Sequence, residues 1–343
     1  TTAQAIAGSA KTTFSNLTID NAAGVTLSGA TDLEQTLALT SGTFNTSGQD
    51  FTLISTSNAT ARIGQITGGD ITGDIVMQRY IDAGSTGYHF MTPPVSGASL
   101  ADWDQEMILS IPDGDNGLAC SSSWCFWSVK YYNEGDTGVN SLGYDSLGTI
   151  NAILEVGRGY WVYTGTGFST TAPFTFDTRG PVNKNAISIP ITYNSSGLPD
   201  DDGWNLVGNP YPSTIDWEAP GWTKAGLSDA IYVWDPDADV FTSYIGGSGS
   251  NGGSRYVPSS QAFWVKATGA PTLAVSESVK TDSVQVFLKQ SSIYSGDLKL
   301  NISGGGYKDE TVLKFANGST DGFDVDWDAY KLAGGNSAPY IAT

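Results

Sequence analysis

The sequence predicts an all-β protein in four parts. They are a short parallel β-solenoid-like part at 1–75, duplicated β-sandwich or barrel units at 76–178 (repeat unit 1) and 186–275 (repeat unit 2), and a partial C-terminal β domain at 276–343. Three observations predict this fold class: apolar residues alternate with a period of two, turn residues recur at close intervals, and a set of motifs occurs twice in the same order. No segment has a convincing 3.6-residue apolar period, so a helical bundle is excluded.

Residues 1–75 consist of short apolar runs, such as NLTID, GVTLSG and DFTLIS, separated by Gly, Asn, Ser and Asp. The leading apolar residues of four runs are 20, 16 and 18 residues apart: Leu17, Leu37, Leu53 and Ile71. This spacing is typical of one rung of a parallel β-solenoid, which buries its apolar face only by stacking on its neighbours. An antiparallel meander would show the same alternation. The polar stretches between the runs, in place of two-residue hairpin turns, favour the solenoid.

The two repeat units are predicted from an internal repeat. The motif GYHFMTPPVSGASLADW (87–103) matches GWNLVGNPYPSTIDW (203–217), and VGRGYWVYTGTG (156–167) matches SSQAFWVKATGA (259–270). Each unit is rich in strands and turn signals, which predicts a small β-sandwich or barrel. The two copies differ mainly in loop length.

A duplicated order of motifs predicts duplicated geometry. The side chains expected to be equivalent are Trp103 and Trp217, Trp161 and Trp264, and Asp102 and Asp216. We interpret the repeated aromatic residues as core, because each ring buries about 150–250 Å². The alternative is that these rings form a surface on which a ligand binds. The two aspartates are predicted to hold a turn.

The part from residue 276 contains three strand-like runs, SVQVFLKQ, GDLKLNISGGG and DETVLKFANG. Three strands are too few to close a sandwich, so this part either docks on repeat unit 2 or is an incomplete domain. Both ends of the chain are expected to present unpaired backbone edges. Further residues of the same polypeptide, or strands added by a neighbouring copy, are expected to cover them.

Composition excludes several classes of function. Sixteen basic and 35 acidic residues give a formal net charge of -19, a field that repels phosphate backbones, so no nucleic-acid partner is expected. One histidine, His89, and two cysteines leave little material for a catalytic triad, a zinc site or a redox centre, and no catalytic residue is predicted. No apolar run approaches the roughly 18 residues that span a bilayer. The start TTAQAIAGSAKTT lacks the parts of a signal peptide, so we expect a soluble chain that is already processed if it is exported.

The titratable residues that could act in catalysis have simpler interpretations. Glu106, Glu134 and Glu155 lie in repeat unit 1, and nothing in repeat unit 2 matches them. His89 corresponds to Asn205 in the second copy, which favours a hydrogen-bonded structural residue. The carboxylate pair that a glycosidase needs is therefore not identified.

Two kinds of small site are predicted. Cys120 and Cys125 in CSSSWC indicate a short-loop disulfide of an oxidising compartment, with two free buried thiols as the alternative. Three clusters place carboxylates at alternate positions, a pattern from which oxygen ligands can converge on calcium. They are Asp235, Asp237 and Asp239, then Asp324, Asp326 and Asp328, and the shorter pair Asp113 and Asp115. The alternative for each cluster is a solvated turn, in which Asp accepts hydrogen bonds from nearby backbone groups.

Residues 87–343 resemble a known group. GWNLVGNPYPSTIDW, YVWDPDADVF, YVPSSQAFWVKA, DETVLKF and GFDVDWDAYKLAG, in this order, are similar to the region upstream of the sorting domain in large surface and secreted proteins of Bacteroidota, which the type IX secretion system exports. NLTIDNAAGVTLSGA and SGTFNTSGQDFTL resemble the solenoid-like repeats that often precede that region. Members of the group continue past a segment like DAYKLAG into a C-terminal sorting domain, whereas this sequence stops at Thr343. A longer gene product is therefore expected.

The resemblance implies the type IX machinery as a partner during export, a cell-surface or extracellular location, adhesive or structural work, and no catalytic residues. Asp145-Ser146-Leu147 and Asp282-Ser283-Val284 are similar to the pattern on which Bacteroidota attach O-glycans, which makes Ser146 and Ser283 candidate glycosylation sites.

Three hypotheses for the function follow. The first is a non-catalytic structural or adhesin protein of the cell surface or the secreted fraction, favoured by the repetition, the low charge content and the resemblance. The second is a carbohydrate-binding or polysaccharide-active protein, suggested by the 10 Trp and 16 Tyr and by surface glycans as partners. The third is a filament or sheath subunit that assembles with neighbouring copies of itself.

Overall fold

The computed structural model describes residues 2–85, 87–107, 109–111, 118–119, 126–136, 140–164, 170–283, 297–335 and 338–342. Cys120, Cys125, Asp113 and Asp115 lie outside the described residues. The structure is all-β, as the alternation of apolar residues predicts.

Eight strands form the N-terminal part: β1 Gln4–Ile6, β2 Thr12–Asp20, β3 Val25–Leu27, β4 Thr31–Asn45, β5 Phe51–Leu53, β6 Arg62–Ile63, β7 Gly69–Thr72 and β8 Asp74–Ile81. All pairs among these strands are parallel, which excludes the antiparallel meander and confirms a solenoid-like arrangement. Phe14, Leu33, Leu53 and Met77 stack as one ladder across four strands. The last three of these side chains are fully buried. We call residues 2–81 the solenoid.

Repeat unit 1 contains β9 Gly84–Ser85, β10 Gly87–Met91, helix α1 Leu100–Trp103, β11 Ser110–Ile111, β12 Leu118–Ala119, β13 Val129–Tyr132, a 3-10 turn at Asn140–Gly143, β14 Tyr144–Ser146, β15 Tyr160–Thr164, β16 Thr170–Thr171 and β17 Phe174–Pro181. Strand β17 pairs antiparallel with β8 along eight residues, from Phe174 opposite Ile81 to Pro181 opposite Asp74. The chain therefore covers the last rung of its own solenoid with a strand of repeat unit 1. The solenoid sheet also continues past the predicted boundary at residue 75.

Repeat unit 2 contains β18 Ile187–Ile189, β19 Trp204–Gly208, β20 Ile215–Asp216, β21 Trp222–Leu227, β22 Ile231–Asp235, β23 Val240–Ile245, β24 Ser248–Ser250, β25 Tyr256–Val257 and β26 Ala262–Val275, with a 3-10 turn at Glu277–Val279. The long strand β26 belongs to two groups of strands. Its first half pairs with β19 and β22, and its second half pairs with β18 and β21.

The two repeat units have the same strand order, β10-β15-β13-β14 in the first and β19-β26-β22-β23 in the second. Their registers also agree, since Trp161 lies opposite Phe90 and Trp264 lies opposite Leu206. The predicted equivalence of Trp161 and Trp264 therefore holds in the pairing of the strands.

Trp103 and Trp217 also occupy equivalent places. Each is almost fully buried, at 0% and 1% exposure. The ring of Trp103 lies 6.0 Å from that of Tyr160, and the ring of Trp217 lies 5.7 Å from that of Phe263. Tyr160 and Phe263 precede the two equivalent tryptophans of β15 and β26, so the interpretation of Trp103 and Trp217 as core holds.

The two predicted turn aspartates hold turns by different contacts. The Asp102 carboxylate accepts hydrogen bonds from the Ser99 backbone N–H at 2.7 Å and from its hydroxyl at 3.2 Å, before α1. The Asp216 carboxylate accepts one from the Glu218 backbone N–H at 3.0 Å and also binds the Arg255 guanidinium through two contacts of 2.6 Å.

The buried apolar residues form three clusters. Buried residues of the solenoid and of repeat unit 1 form one continuous cluster, from Ile19 and Leu37 to Trp103 and Val162. A second cluster lies inside repeat unit 2. A third, rich in aromatic rings, lies where the two repeat units meet.

The C-terminal part contains the hairpin of β27 Leu298–Gly304 and β28 Tyr307–Leu313. Downstream of it, the Asp229 backbone N–H donates to the Val325 carbonyl at 3.3 Å, and the Tyr330 backbone N–H donates to the Tyr232 hydroxyl at 2.8 Å. The C-terminal part therefore docks on repeat unit 2, the first of the two predicted alternatives. In the described ranges, no helix combines the length and the apolar character that crossing a membrane requires.

A candidate ligand-binding cleft between the repeat units

The first carboxylate cluster predicted to bind calcium forms a hairpin turn. Asp235 ends β22, and its Oδ1 accepts hydrogen bonds of 3.0 Å from the backbone N–H groups of Asp237 and Ala238. Asp239 has a positive φ of 58°, and its carbonyl accepts a hydrogen bond from Gly335 at 2.9 Å. This arrangement corresponds to the solvated-turn alternative, in which the Asp235 carboxylate accepts hydrogen bonds from backbone N–H groups of its own turn.

The second cluster has a similar local use. The Asp324 carboxylate accepts hydrogen bonds from the backbone and hydroxyl of Thr320, and Asp328 accepts one from the Asp324 backbone N–H at 2.8 Å. Among the residues that the structure describes, no three His, Cys, Asp or Glu side chains are grouped so that they could hold a metal ion. Calcium binding at these two clusters stays a prediction.

The candidate glycosylation sites are half-buried. Ser146 lies in β14 opposite Lys130, and its backbone N–H donates to the carboxylate of the preceding Asp145 at 2.7 Å. Ser283 follows the 3-10 turn and lines a second, polar cleft of about 300 Å³ together with Arg62. Modification of these serines stays a prediction.

His89 and Asn205 make related contacts. The His89 Nδ1 lies 3.1 Å from the Gly87 carbonyl and 2.7 Å from the Thr164 hydroxyl, and Asn205 Nδ2 donates to the equivalent Gly203 carbonyl at 2.9 Å. Burial lowers the pKa of His89 to about 4, so the ring is neutral at physiological pH. These contacts are those of a hydrogen-bonded structural residue.

The three glutamates of repeat unit 1 have separate surroundings. Glu134 accepts hydrogen bonds from the backbone N–H groups of Asn194 and Gly203, at 2.6 and 3.1 Å, and Glu155 pairs with Arg158 at 2.6 Å. Burial, together with the nearby Asp177 carboxylate, raises the pKa of Glu106 to about 7. The three glutamates therefore interact with different groups: Glu134 with backbone N–H groups, Glu155 with Arg158, and Glu106 with Asp177.

A cleft of about 240 Å³ lies between the two repeat units, and we call it the aromatic cleft. Six aromatic side chains line it: Tyr132, Tyr144 and Trp161 from repeat unit 1, and Trp204, Phe241 and Trp264 from repeat unit 2. Ligand sites in proteins are typically concave, mainly apolar and located where domains meet. The aromatic cleft has all three properties.

Reciprocal contacts between the repeat units place these rings together. Met91 bridges to Gln261, and Val207, the equivalent of Met91, bridges to Arg158, the equivalent of Gln261. The Gly159 backbone N–H donates to Leu206 at 2.9 Å. This exchange of equivalent contacts is the pattern of a two-fold interface, here within one chain.

The aromatic pairs across the junction follow the same symmetry. Tyr132 of β13 packs on Trp264 with ring centroids 4.7 Å apart. Its equivalent in β22, Trp234, stacks on Trp161 at 6.3 Å. Each repeat unit thus contributes two equivalent strands to the junction: β13 and β15 from repeat unit 1, and β22 and β26 from repeat unit 2.

Two phenol groups supply polar atoms in the aromatic cleft. Tyr132 is 8% exposed, and its ring lies 5.3 Å from that of Tyr144. Burial raises the pKa of Tyr132 to about 12 and also raises the pKa of Tyr144, so both stay protonated and can donate to a ligand.

The last wall comes from the C-terminal part, where Leu332 and Ala333 line the cleft. None of the described residues that line the cleft is charged. The cleft therefore combines ring faces, one aliphatic wall and two hydroxyl groups, an arrangement suited to a neutral ligand with both apolar and hydroxyl-bearing faces.

The sequence indicates the repeated tryptophans but does not identify the cleft. Trp264 is 5% exposed, as the core interpretation predicts, whereas its equivalent Trp161 is only half-buried at the cleft. A signal was present in YWVYT, because large apolar residues at successive positions occupy both faces of the strand. One face packs in the core, and the other was therefore available for the cleft.

Comparison with known proteins identifies a family. A family model described as Domain of unknown function (DUF8693) matches residues 1–342. No curated protein and no solved structure matches the chain. Because the family model spans almost the whole length described above, solenoid, repeat units and C-terminal part included, the chain belongs to the DUF8693 family.

Proposed function

We propose that this chain is a non-catalytic structural or adhesive protein of the cell surface or the secreted fraction, and that it binds saccharides in the aromatic cleft. The observation that carries the proposal is the meeting of six aromatic side chains and two phenol hydroxyls in one concave site. Sugar rings present C–H faces that pack on aromatic rings and hydroxyl groups that accept from phenols.

The solenoid supports the structural part of the proposal. A stack of parallel rungs extends by repetition, so it can hold the repeat units away from an attachment point. The resemblance to type IX secretion substrates supports export as the route to the surface. Deleting a component of that machinery in the native host should leave the chain inside the cell, and normal export in that strain would contradict this route.

A glycan array followed by fluorescence titration tests the binding site. We expect Trp161→Ala to weaken binding of the best array saccharide by about tenfold or more, equivalent to about 1.4 kcal/mol, because the half-buried ring forms a wall of the cleft.

Trp222→Ala is the matched control, since Trp222 is also half-buried but packs on Trp217 at 4.7 Å, outside the cleft. We expect this variant to bind like the wild type. Equal binding by Trp161→Ala and the wild type, or no binding to any array saccharide, would contradict the saccharide site. Release of reducing sugar from a bound polysaccharide would contradict the non-catalytic assignment.

A specific feature favours the filament hypothesis as a second candidate. Strand β27 pairs only with β28 in the described part of the chain, and its alternate residues Leu298, Leu300 and Ile302 are 49%, 37% and 39% exposed. An exposed apolar edge strand is a template for strand addition. Concentration-dependent polymers in electron micrographs, abolished by Leu300→Lys, would support assembly, whereas monomers at high concentration would oppose it.

A further inference from the structure

The C-terminal wall of the aromatic cleft is held at two anchors. We call residues 329–335 the strap. At the first anchor, the Tyr330 ring packs on Trp204 at 5.8 Å and its backbone N–H donates to Tyr232 at 2.8 Å. The Lys266 ammonium lies 4.8 Å from the Trp204 ring centroid and 4.9 Å from that of Tyr330, so one cation binds both ring faces.

The second anchor is a close backbone fit. The Gly335 backbone N–H donates to the Asp239 carbonyl at 2.9 Å. A Cβ atom at Gly334 would lie 2.5 Å from that carbonyl oxygen, and one at Gly335 would collide with the Asp239 carboxylate. At Gly334 the obstacle is a backbone atom, so only glycine permits this approach, and the strap is fitted to the turn between β22 and β23.

Leu332 and Ala333 lie between the two anchors and face the aromatic cleft. Lys331, beside them, pairs with Asp309 and donates to the Glu310 carbonyl at 3.0 Å, which ties the strap to β28. Three attachments within seven residues hold the Leu332 side chain in place as a wall.

The cleft volume of about 240 Å³ lies below the roughly 300–1,000 Å³ of sites that hold drug-sized ligands. We propose that the strap limits the aromatic cleft to a single neutral sugar ring, so that the protein recognises the terminal unit of a saccharide chain and not an internal stretch. This inference rests on the proposed saccharide site and adds the size and position of the bound unit.

Isothermal titration with three homologous series tests the size limit: mannose, mannobiose and mannotetraose; glucose, cellobiose and cellotetraose; galactose, galactobiose and galactotetraose. For a series that binds, the wild-type dissociation constants should agree within about threefold, because units beyond the first gain no contact. In Leu332→Ala the wall is shortened, and the tetrasaccharide should bind at least about fivefold tighter than the monosaccharide.

Leu142→Ala is the matched control, since Leu142 is 62% exposed and outside the cleft, and it should behave like the wild type. Gly334→Ala gives a second measurement, because its Cβ atom would meet the Asp239 backbone carbonyl. The displaced strap should increase acrylamide quenching of tryptophan fluorescence. Wild-type affinity that rises with each added unit would overturn the size limit and leave the saccharide site intact. The size limit would also be overturned if the dissociation constants of Leu332→Ala varied with saccharide length as those of the wild type do. Absence of binding in all three series, together with a negative glycan array, would overturn both proposals.

Discussion

At the scale of single residues, the buried His89 and the half-buried Glu106 respond to pH in opposite directions. His89 is 6% exposed and is held neutral by burial. Glu106 lies next to Asp177, and burial with that neighbouring carboxylate favours its protonated form. When the pKa of a group differs between the folded and the unfolded chain, the free energy of unfolding changes with pH between these two pKa values.

The pKa of His89 is lowered from 6.5 to about 4, so the folded chain binds fewer protons here than the unfolded chain does. Its contribution, about 3 kcal/mol, is fully present above pH 6.5 and is lost as the pH falls towards 4. Because Glu106 acts in the opposite direction over the same range, the His89 contribution is measured as the difference in the free energy of unfolding between the wild type and a variant, by urea unfolding between pH 4 and 7. His89→Asn, which copies Asn205 of repeat unit 2, should remove it, and because His89 is the single histidine no other imidazole confuses the comparison. An unchanged slope in His89→Asn would contradict the assignment.

The pKa of Glu106 is raised from 4.5 to about 7, so the folded chain binds more protons here than the unfolded chain does. Stability should therefore fall as the pH rises from about 4.5 through 7, in the direction opposite to the His89 effect. Glu106→Gln should remove this loss and raise the melting temperature at pH 8. Glu34→Gln, at an exposed position, is the control and should leave the pH profile unchanged. The same profile in Glu106→Gln and the wild type would show that another group titrates.

At the scale of elements, strand pairing depends on close backbone approach. Gly42 and Gly48 both have φ of 73°, a region that disfavours side chains. A Cβ atom at Gly42, inside β4, would collide with the Asn21 carbonyl, whereas one at Gly48 would meet nothing within 4 Å. The same left-handed backbone conformation thus accompanies a close contact between strands at Gly42 and an open turn at Gly48.

Gly48→Ala should lower the free energy of unfolding by about 1–2 kcal/mol, the cost of the left-handed conformation alone. Gly42→Ala should lower it by about 1–3 kcal/mol more, because the rungs must also separate. Denaturant melts of both variants measure the difference. Equal effects would mean that the approach of Asn21 to Gly42 does not constrain the solenoid.

At the scale of the whole molecule, the solenoid and the repeat units are joined by shared packing and by hydrogen bonds. Trp103 belongs to the cluster that contains the solenoid core, and its indole N–H donates to Thr178 of β17 at 3.2 Å. The Arg79 guanidinium of β8 donates to the Thr60 hydroxyl at 2.9 Å and to the Ser259 carbonyl at 2.7 Å, linking the solenoid to repeat unit 2.

Trp103→Ala should lower the free energy of unfolding by about 3–5 kcal/mol, as removal of a large buried ring does. Because the core is continuous, hydrogen exchange should accelerate in β4 and β5 of the solenoid as well as in repeat unit 1. Trp127→Ala, at a 39% exposed ring, is the control and should change neither quantity. Faster exchange confined to repeat unit 1 would show that the two parts unfold independently.

The sequence by itself determined the all-β class and the duplication, because alternation and motif order are local signals that survive in one dimension. It favoured parallel rungs over an antiparallel meander, and the strand pairing decided between them. The equivalence of Trp103 with Trp217 and of Trp161 with Trp264 followed from motif order alone. Calcium at Asp235, Asp237 and Asp239 stays a prediction, and the sequence did not indicate that the Asp235 carboxylate accepts hydrogen bonds from the backbone of its own turn.

Only the tertiary structure decided which elements meet. Strand β17 covers a solenoid strand about 100 residues earlier, a pairing that no local pattern encodes. The aromatic cleft needs side chains from both repeat units and Leu332 from the strap, brought together by contacts that span the chain. Packing at a junction depends on the shapes of two folded surfaces, and alternation along a strand indicates only that a face is apolar, not which surface will lie against it.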